Sequence, residues 1–234
     1  MKSAPSMVNS KMASLFSAAR SMPMVAPSIL SADFGILADE CKAVMDQGAD
    51  LLHLDVMDGH FVPNLSMGPS LCSAVRNHLP STFLDVHMMV TNPGAFIVPF
   101  AKAGANNFTV HVECDEDPIE LANAIHEAGM TAGLAIKPET DFGLMEPLVE
   151  SFDLLLVMSV HPGFSGQAFI PEVLETTKRL DGMIGPNQHI QMDGGVDPET
   201  GLLCREAGCD VLVSASAIFK QPDYGRTIEL IRGS

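Results

Sequence analysis

His and Asp residues stand two positions apart in two apolar segments of the chain, as His53-x-Asp55 and as Asp85-x-His87. Side chains of a strand alternate between its two faces, so each pair lies on a single face. Burying such groups costs free energy unless a partner compensates them. The first segment alone leaves two interpretations open: a buried hydrogen bond between His53 and Asp55, or one part of a functional site.

A third carboxylate, Asp193, ends a later apolar segment and could join these pairs. Neighbouring strands lie about 4.8 Å apart, so inward-pointing side chains from different strands can converge. Two His and two Asp residues make a four-ligand site for a divalent metal, and imidazole with carboxylate suits Zn, Fe, Mn or Co. The alternative is a polar network that fills the mouth of a barrel. The metal hypothesis rests on His53, Asp55, His87 and Asp193.

Two loops near the C-terminus indicate a phosphate site. Gly194 and Gly195 precede one predicted helix, and Ala215 and Ser216 lead into another. Exposed backbone N–H groups in loops at these positions of a barrel commonly bind phosphate. The glycines could instead be ordinary turn residues, so both interpretations stay open here.

A longer segment, 159–167, contains Gly163 and Gly166 and exceeds the length of a tight turn. This composition predicts a mobile lid over the site. Met57, Met89 and Met158 end three apolar segments. Methionine usually fills gaps in a core, but three at a barrel mouth could also form an apolar wall beside a reactive intermediate.

The elements that must position these residues alternate between apolar runs and segments of helical period. This alternation is typical of βα units and a parallel sheet. Strands are predicted at 24–30, 51–56, 83–89, 107–112, 131–136, 154–158, 189–192 and 211–213. Helices are predicted at 34–47, 69–78, 93–103, 117–128, 140–149, 171–184, 197–207 and 222–232. Eight units fit one (β/α)8 TIM barrel, whose chemistry lies at the carboxyl ends of the strands. A doubly wound sheet is the alternative, but the Gly-rich fingerprint is missing after the first strand.

Composition limits the class of protein and its partners. The chain has 234 residues, 47% of them hydrophobic, and a formal net charge of −16. The acidic balance argues against nucleic acid or an anionic membrane surface as a partner, and an anionic substrate must be held locally. The sequence contains no apolar run of 18 residues, which argues against a membrane span. Five scattered cysteines without a CxxC pair favour reduced thiols in a cytosol-like compartment.

The first 22 residues differ from the rest of the chain. They contain six serines and three basic residues, and the first carboxylate is Asp33. We predict a disordered tail or a targeting remnant over 1–22 and a single catalytic barrel domain over 23–234. The predicted location is the cytoplasm, with import into an organelle through residues 1–22 left open.

Five motifs, in collinear order, resemble the ribulose-phosphate 3-epimerase family. They are APSILSAD at 26–33, HLDVMDGHFVPN at 53–64, DVHMMV at 85–90, PGFSGQ at 162–167 and DGGV at 193–196. The resemblance extends from about residue 24 to the C-terminus. It implies a barrel of the ribulose-phosphate-binding type and interconversion of D-ribulose 5-phosphate and D-xylulose 5-phosphate in the pentose phosphate pathway. Proton transfer at C3 would use two bases and a metal-stabilised enediolate.

The resemblance also implies roles for individual residues. Asp55 and Asp193 would be the two acid/base groups, and the metal ligands would be His53, Asp55, His87 and Asp193. One divalent ion per subunit is expected (Zn, Fe, Mn or Co, with Zn slightly favoured), together with assembly into a dimer or hexamer. The substrate-binding residues would be Ser28, His87, Met57, Met89, Met158, Gly163, Phe164, Ser165, Gly166, Gly194, Gly195, Ala215 and Ser216.

Three positions depart from the family pattern. Ala215 replaces a usual Gly, which is harmless if its φ is negative and obstructive if its φ is positive. Ser165 replaces a Gly of the GFGGQ motif, and His161 stands where Asn or Glu is common. These departures concern the lid and the affinity for substrate.

Two alternative functions are retained. One is a 3-epimerase for a phosphorylated hexulose such as allulose 6-phosphate. The other is a non-catalytic barrel that binds sugar phosphate or metal, against which the presence of both Asp55 and Asp193 argues, because a binder needs no pair of bases. A decarboxylase is disfavoured, since its Asp-x-Lys-x-x-Asp pattern is absent after these strands.

Overall fold

The computed structural model describes residues 15–20 and 22–234. Eight parallel strands follow the spatial order β1-β8-β7-β6-β5-β4-β3-β2. A parallel bridge between Ser28 and His53 brings the ends of this order together and nearly closes the sheet. The predicted (β/α)8 barrel is therefore confirmed. The strands are β1 (Met24–Pro27), β2 (Leu52–Met57), β3 (Leu84–Met89), β4 (Asn107–His111), β5 (Thr131–Ile136), β6 (Leu154–Met158), β7 (His189–Asp193) and β8 (Val211–Ser214).

The helices lie between the strands. The α-helices are Leu37–Asp46, Pro69–His78, Ile97–Ala103, Pro118–Glu127, Val173–Asp181, Pro198–Glu206, Ser216–Phe219 and Tyr224–Arg232, and the 3₁₀ segments are Leu15–Ser17, Ile29–Ser31, Phe34–Ile36, Pro93–Phe96, Phe142–Leu144 and Glu146–Ser151. None of the described helices is both long and apolar enough to cross a membrane.

Two predicted elements differ from the observed ones. The helix predicted over 140–149 is wrong, because the chain forms two 3₁₀ segments there. Gly143 weakens a helix at this place, and Pro147 has no backbone N–H to continue one. The first strand ends at Pro27 rather than at residue 30, and a 3₁₀ turn follows it.

Alternation along β2 places its polar residues inside the barrel. Leu52, Leu54 and Val56 pack in the apolar layer between the strands and the helices. His53 and Asp55 lie on the opposite face, and both are buried. The register between β2 and β3 aligns His53 with Asp85 and Asp55 with His87. The two His–Asp pairs predicted to share faces therefore meet inside one barrel.

The amino end of the barrel is closed by part of the N-terminal segment. Phe16 is completely buried, and its ring lies 4.9 Å from that of Phe83 and 5.4 Å from that of His189. Arg20 donates a hydrogen bond to Asp181 at 2.9 Å. Residues 15–20 thus differ from the expected disordered tail, because an apolar side chain has space to fill at the barrel end. Residues 1–14 and 21, also part of that prediction, lie outside the described residues.

Candidate active site

Four side chains converge at the carboxyl end of the barrel. One ligand atom from each of His53, Asp55, His87 and Asp193 lies within 4.8 Å of the others. Asp55 Oδ1 is 3.3 Å from His53 Nε2 and 3.1 Å from His87 Nδ1. Asp193 Oδ2 is 3.9 Å from His53 Nε2 and 3.5 Å from His87 Nδ1. The structure brings together all four residues predicted as metal ligands.

His53 is oriented by Asp85 behind it. His53 Nδ1 lies 2.8 Å from Asp85 Oδ2. Because a carboxylate only accepts, Nδ1 carries the proton and donates it, so that Nε2 has a lone pair whenever the ring is neutral, as a metal-ligating ring is. Asp85 is held in turn by Asn107 Nδ2 and Gln191 Nε2, which donate to it at 2.7 Å each. This arrangement is the outer support that metal-ligating His residues commonly have.

The cluster requires positive charge at its centre. Burial disfavours the charged His53 ring, but Asp55 and Asp85 outweigh this effect and raise its pKa well above the usual range. Burial likewise opposes ionisation of Asp55, yet His53 and His87 outweigh it and hold the Asp55 pKa below its usual range. Opposite charges nearby favour the ionised form of each group.

A divalent cation fits this requirement. The buried Nε2 atom of His53 has no hydrogen-bond partner among the described residues, although it points towards Asp55 and Asp193. A buried polar atom without a partner costs free energy, and a coordinated cation would remove this cost. Two imidazoles with two carboxylates are a donor set for Zn, Fe, Mn or Co.

The two carboxylates differ in their surroundings. The Asp55 side chain is 7% exposed, and Ser28 Oγ donates a hydrogen bond to its Oδ2 at 2.5 Å. The Asp193 side chain is 14% exposed. They come from β2 and β7, which are separated by β1 and β8 around the barrel. Two carboxylates therefore approach one space from different strands.

A cavity of about 360 Å³ opens above the cluster. This volume is in the range of small-molecule sites. The walls include three buried methionines, Met57, Met89 and Met158. The sequence-predicted residues that line the cavity are Ser28, Asp55, Met57, Met89, Met158, Gly163, Phe164, Ser165, Gly166, Asp193, Gly194, Gly195, Ala215 and Ser216.

The loops after β7 and β8 form the far wall of the cavity. Gly194 and Gly195 have φ values of +120° and +63°. A Cβ atom on Gly194 would lie 2.4 Å from a Val160 methyl group, so that only Gly fits. Ala215 has φ −111°, and its replacement of a usual Gly therefore introduces no left-handed strain.

The predicted lid spans the other side of the cavity. Its ends meet where Ile170 N donates to Ser159 O at 2.9 Å. Asn64 Nδ2 donates to Gly163 O at 2.7 Å and ties the lid to the loop after β2. Phe164 at its tip is 56% exposed. His161 points to the surface and pairs with Glu139 at 3.2 Å.

Lys220 also lines the cavity, although sequence reasoning did not assign it a role. Among the described charged residues of the wall, Lys220 is positive, whereas Asp55, Asp193 and Asp197 are acidic. Lys220 directly follows the short helix Ser216–Phe219, and a spacing of four residues places it one turn beyond Ser216, with Lys220 N donating to Ser216 O at 3.2 Å. That spacing is the signal from which its position could have been found.

A second buried His lies behind His87. His111 Nε2 is 2.8 Å from His87 Nε2, and His111 Nδ1 is 2.9 Å from Glu113 Oε2. Burial lowers the pKa of His111 to about 4. The charges of His87 and Lys137 add to this effect, while the hydrogen bond that His111 donates to Glu113 and the charge of Glu113 oppose it. His111 is therefore neutral at neutral pH. His111 lies near the end of the strand predicted over 107–112, but residue spacing does not show which residue it contacts.

Asp58 and His60 lie beyond the cluster, in the loop after β2. Asp58 accepts hydrogen bonds from the backbone N–H groups of His60, Phe61 and Thr91, and from the Thr91 hydroxyl, at 2.8 to 3.0 Å. Burial opposes its ionisation, but these hydrogen bonds lower its pKa to about 2. Asp58 therefore holds the shape of this loop.

The parallel barrel and the acid-and-imidazole cluster under its cavity define a (β/α)8 barrel enzyme with its chemistry at the carboxyl ends of the strands. Residues 24–219 match the model of the ribulose-phosphate 3 epimerase family. The chain belongs to this family, which confirms the resemblance found in its motifs and its assignment to the isomerases.

Individual relatives agree with the family match. Ribulose-phosphate 3-epimerase from Bacillus subtilis is 45% identical over 219 residues, which cover 91% of this chain and 100% of that protein. The cytoplasmic isoform of ribulose-phosphate 3-epimerase from Oryza sativa subsp. japonica is 42% identical over 221 residues, covering 93% and 96%. A crystal structure of KGPDC from Streptococcus mutans in complex with D-R5P has the same fold, with a TM-score of 0.69 at 11% identity and coverage of 91% and 97%.

Proposed function

We propose that this chain interconverts D-ribulose 5-phosphate and D-xylulose 5-phosphate by inverting C3. The observation that carries the proposal is the pair of carboxylates, Asp55 and Asp193, which reach one space under the cavity from β2 and β7. Family membership and the names of the relatives support the same reaction. The cavity volume of about 360 Å³ suits a small sugar phosphate.

Inversion next to a ketone needs two proton-transfer groups. A proton leaves C3 from one face of the substrate and a proton returns on the other, with a planar enediolate between the two steps. A single fixed base reaches only one face. In the proposal, Asp55 serves one face and Asp193 the other, and each positioned acid or base contributes ~10²–10⁴-fold to the rate.

Asp55 has a distinguishing contact in the hydrogen bond that Ser28 Oγ donates to it. This hydrogen bond stabilises the ionised form of Asp55, the state that accepts a proton. Asp193 is more accessible from the cavity, where its side chain can meet the substrate. The variants Asp55→Asn and Asp193→Asn can show which face of the substrate each carboxylate serves.

His53, Asp55, His87 and Asp193 would hold one divalent cation. A cation bound there would polarise the ketone oxygen and stabilise the enediolate charge, a contribution of several kcal/mol. The two His residues contribute lone pairs and need move no proton themselves. Zn, Fe, Mn and Co all suit this donor set.

The far wall would hold the phosphate group. Gly194 and Gly195 let the backbone approach the cavity closely, and Ser216 offers a hydroxyl. Lys220 adds a positive charge, which matters because the chain as a whole carries −16. Met57, Met89 and Met158 would exclude water from the enediolate, and Phe164 would cover the bound substrate as the lid closes.

Solvent isotope exchange tests the proposal. Ribulose 5-phosphate incubated with the metal-loaded enzyme in ²H₂O should gain one deuterium at C3 while xylulose 5-phosphate appears, as followed by NMR. Allulose 6-phosphate in a parallel sample tests the hexulose alternative, because a faster exchange with it would assign the hexulose as substrate. Metal-loaded enzyme that exchanges neither substrate would refute the proposal.

We also propose a cytoplasmic location and assembly into an oligomer for this chain. The rice relative is named a cytoplasmic isoform, which supports the cytoplasm as the location of this chain. A dimer or hexamer stays a prediction, and sedimentation of the purified protein at several concentrations measures it.

A further inference from the structure

A buried chain of polar groups extends from His87 away from the cavity. His87 Nε2 lies 2.8 Å from His111 Nε2, and His111 Nδ1 lies 2.9 Å from Glu113 Oε2. His87 is fully buried and His111 is 1% exposed. These groups connect β3 to the end of β4 and meet the cluster under the cavity at His87, whose Nδ1 lies 3.1 Å from Asp55 Oδ1.

The numbers of donors and acceptors determine which group donates each hydrogen bond between His87, His111 and Glu113. A carboxylate only accepts hydrogen bonds, so His111 Nδ1 carries a proton and donates it to Glu113. In a neutral His111 ring the other nitrogen, Nε2, then accepts. The short contact with His87 Nε2 therefore requires that His87 carries its own proton at Nε2 and donates it. Without a cation, His87 Nδ1 would have to donate a proton to Asp55 Oδ1, which lies 3.1 Å away. In the neutral ring that binds a cation, Nδ1 instead directs a lone pair towards the space between Asp55 and Asp193.

We propose that His111 and Glu113 are positioning residues that hold His87 in the tautomer whose Nδ1 atom is free to bind the cation. The proposal deepens the proposed function and rests on the role given there to His87. Neither residue touches the substrate. Together they decide which nitrogen of His87 carries the proton, because they present an acceptor behind the ring.

Glu113 is itself held in place by a second set of contacts. Its other oxygen, Oε1, accepts from Lys137 N at 2.8 Å and from Thr140 Oγ1 at 2.6 Å. On the other side, the Phe61 ring lies 4.9 Å from the His111 ring, and Lys137 Nζ lies 3.7 Å from the Phe61 ring centre. With both oxygens engaged, the carboxylate cannot rotate away from His111.

His53 is also supported by an acceptor behind its ring, but the supported nitrogen is Nδ1 rather than Nε2. Asp85 accepts from His53 Nδ1 and leaves Nε2 free, whereas the His111–Glu113 pair acts on Nε2 of His87 and leaves Nδ1 free. In both cases an acceptor takes the N–H of the outer ring nitrogen, and the inner nitrogen of the neutral ring is then available to a cation.

Zn²⁺ affinity measured by competition with a chelating dye tests the proposal. The His111→Phe variant keeps a ring of similar shape but has no acceptor, and we expect it to bind Zn²⁺ about 10–100-fold more weakly, as is usual when outer support is removed. The His111→Gln variant can accept from His87 through its amide oxygen, and we expect it to recover part of the loss.

A matched control comes from the other end of the barrel. His189 is also buried and paired with a carboxylate, since its Nδ1 lies 2.5 Å from Asp210 Oδ2. His189→Phe should bind Zn²⁺ like the wild type. Equal weakening in His189→Phe and His111→Phe, or wild-type affinity in His111→Phe, would overturn the proposal. Wild-type protein that binds no Zn²⁺ would overturn the cation site of the proposed function as well.

The tautomers can also be observed directly, which decides the matter if His111→Phe fails to fold. Long-range ¹H–¹⁵N spectra of the Zn²⁺-loaded wild type distinguish protonation at Nδ1 from protonation at Nε2. We expect His111 to be protonated at Nδ1 and His87 at Nε2. His111 protonated at Nε2 would overturn the proposal.

Discussion

Substitution of Gly195 gives a quantitative test of whether the shape of the cavity wall matters for catalysis. The Gly195 φ of +63° is in the left-handed region, and a Cβ atom there would lie 2.8 Å from Phe169 N and 3.1 Å from Gln167 O. These contacts are with backbone, so the chain after the lid must move by about half an ångström to restore ordinary packing. The left-handed conformation itself costs Ala about 1–2 kcal/mol.

Gly129→Ala is the matched control for Gly195→Ala. Gly129 has φ +85°, but a Cβ atom there meets nothing within 4 Å. Gly129→Ala should lose about 1–2 kcal/mol in the free energy of unfolding, as measured in urea. Gly195→Ala should lose more than this, because its Cβ atom also meets backbone atoms. Only Gly195→Ala should also lose catalytic efficiency, because displacement of substrate-positioning groups by 1 Å can cost ~10²-fold.

Steady-state kinetics separate the two effects. We expect kcat/KM of Gly195→Ala to fall on the order of 10–100-fold, mainly through KM, since the affected wall is the proposed phosphate site. Gly129→Ala should keep the wild-type kcat/KM. A folded Gly195→Ala protein with the same kcat/KM as Gly129→Ala would refute the reasoning.

Three further predictions concern other parts of the chain. Phe16→Ala should lower the free energy of unfolding by about 3–5 kcal/mol with little change in kcat/KM, and a loss below about 1 kcal/mol in urea unfolding would show that Phe16 does not close the barrel. Asp58 has a pKa lowered to about 2, so its stabilisation is present above its ordinary pKa and is lost as the pH falls towards 2. The stability difference between wild type and Asp58→Ala should therefore shrink by about 1 kcal/mol, after allowance for solvent screening, between pH 5 and pH 2, and a constant difference would contradict this assignment. Lys220→Met should raise KM for the phosphorylated ketose about fivefold with kcat unchanged, and an unchanged KM would exclude Lys220 from the phosphate site.

Much of the fold follows from patterns that act locally. Alternation along 51–56 separates His53 and Asp55 from Leu52 and Leu54, and the observed strand has this arrangement. The helix predicted over 140–149 failed because an apolar pattern says little about helix type where Pro147 interrupts the hydrogen bonds. Phe16 was missed because a Ser-rich segment was judged by its average composition, whereas one aromatic ring suffices to fill the barrel end.

The site was predictable where residues of one strand act together. His53-x-Asp55 and Asp85-x-His87 each share a face, and the close spacing of neighbouring strands then indicated that the two pairs can converge. The contact between His87 and His111 depends on the register of β3 against β4 and on the orientation of the two rings. The spacing of residues along the sequence predicts neither of them. The partner of Asp85 across the barrel, Gln191, was missed for the same reason.

The central claim is that Asp55 and Asp193 act on opposite faces of the substrate. Exchange of the C3 hydrogen in ²H₂O, started separately from ribulose 5-phosphate and from xylulose 5-phosphate, measures it most directly. The wild type should exchange both epimers. Asp55→Asn and Asp193→Asn should each abolish epimerisation, with one variant still exchanging one epimer and the other variant the opposite epimer. Loss of exchange from the same epimer in both variants, or epimerisation that persists in either, would contradict the two-base account.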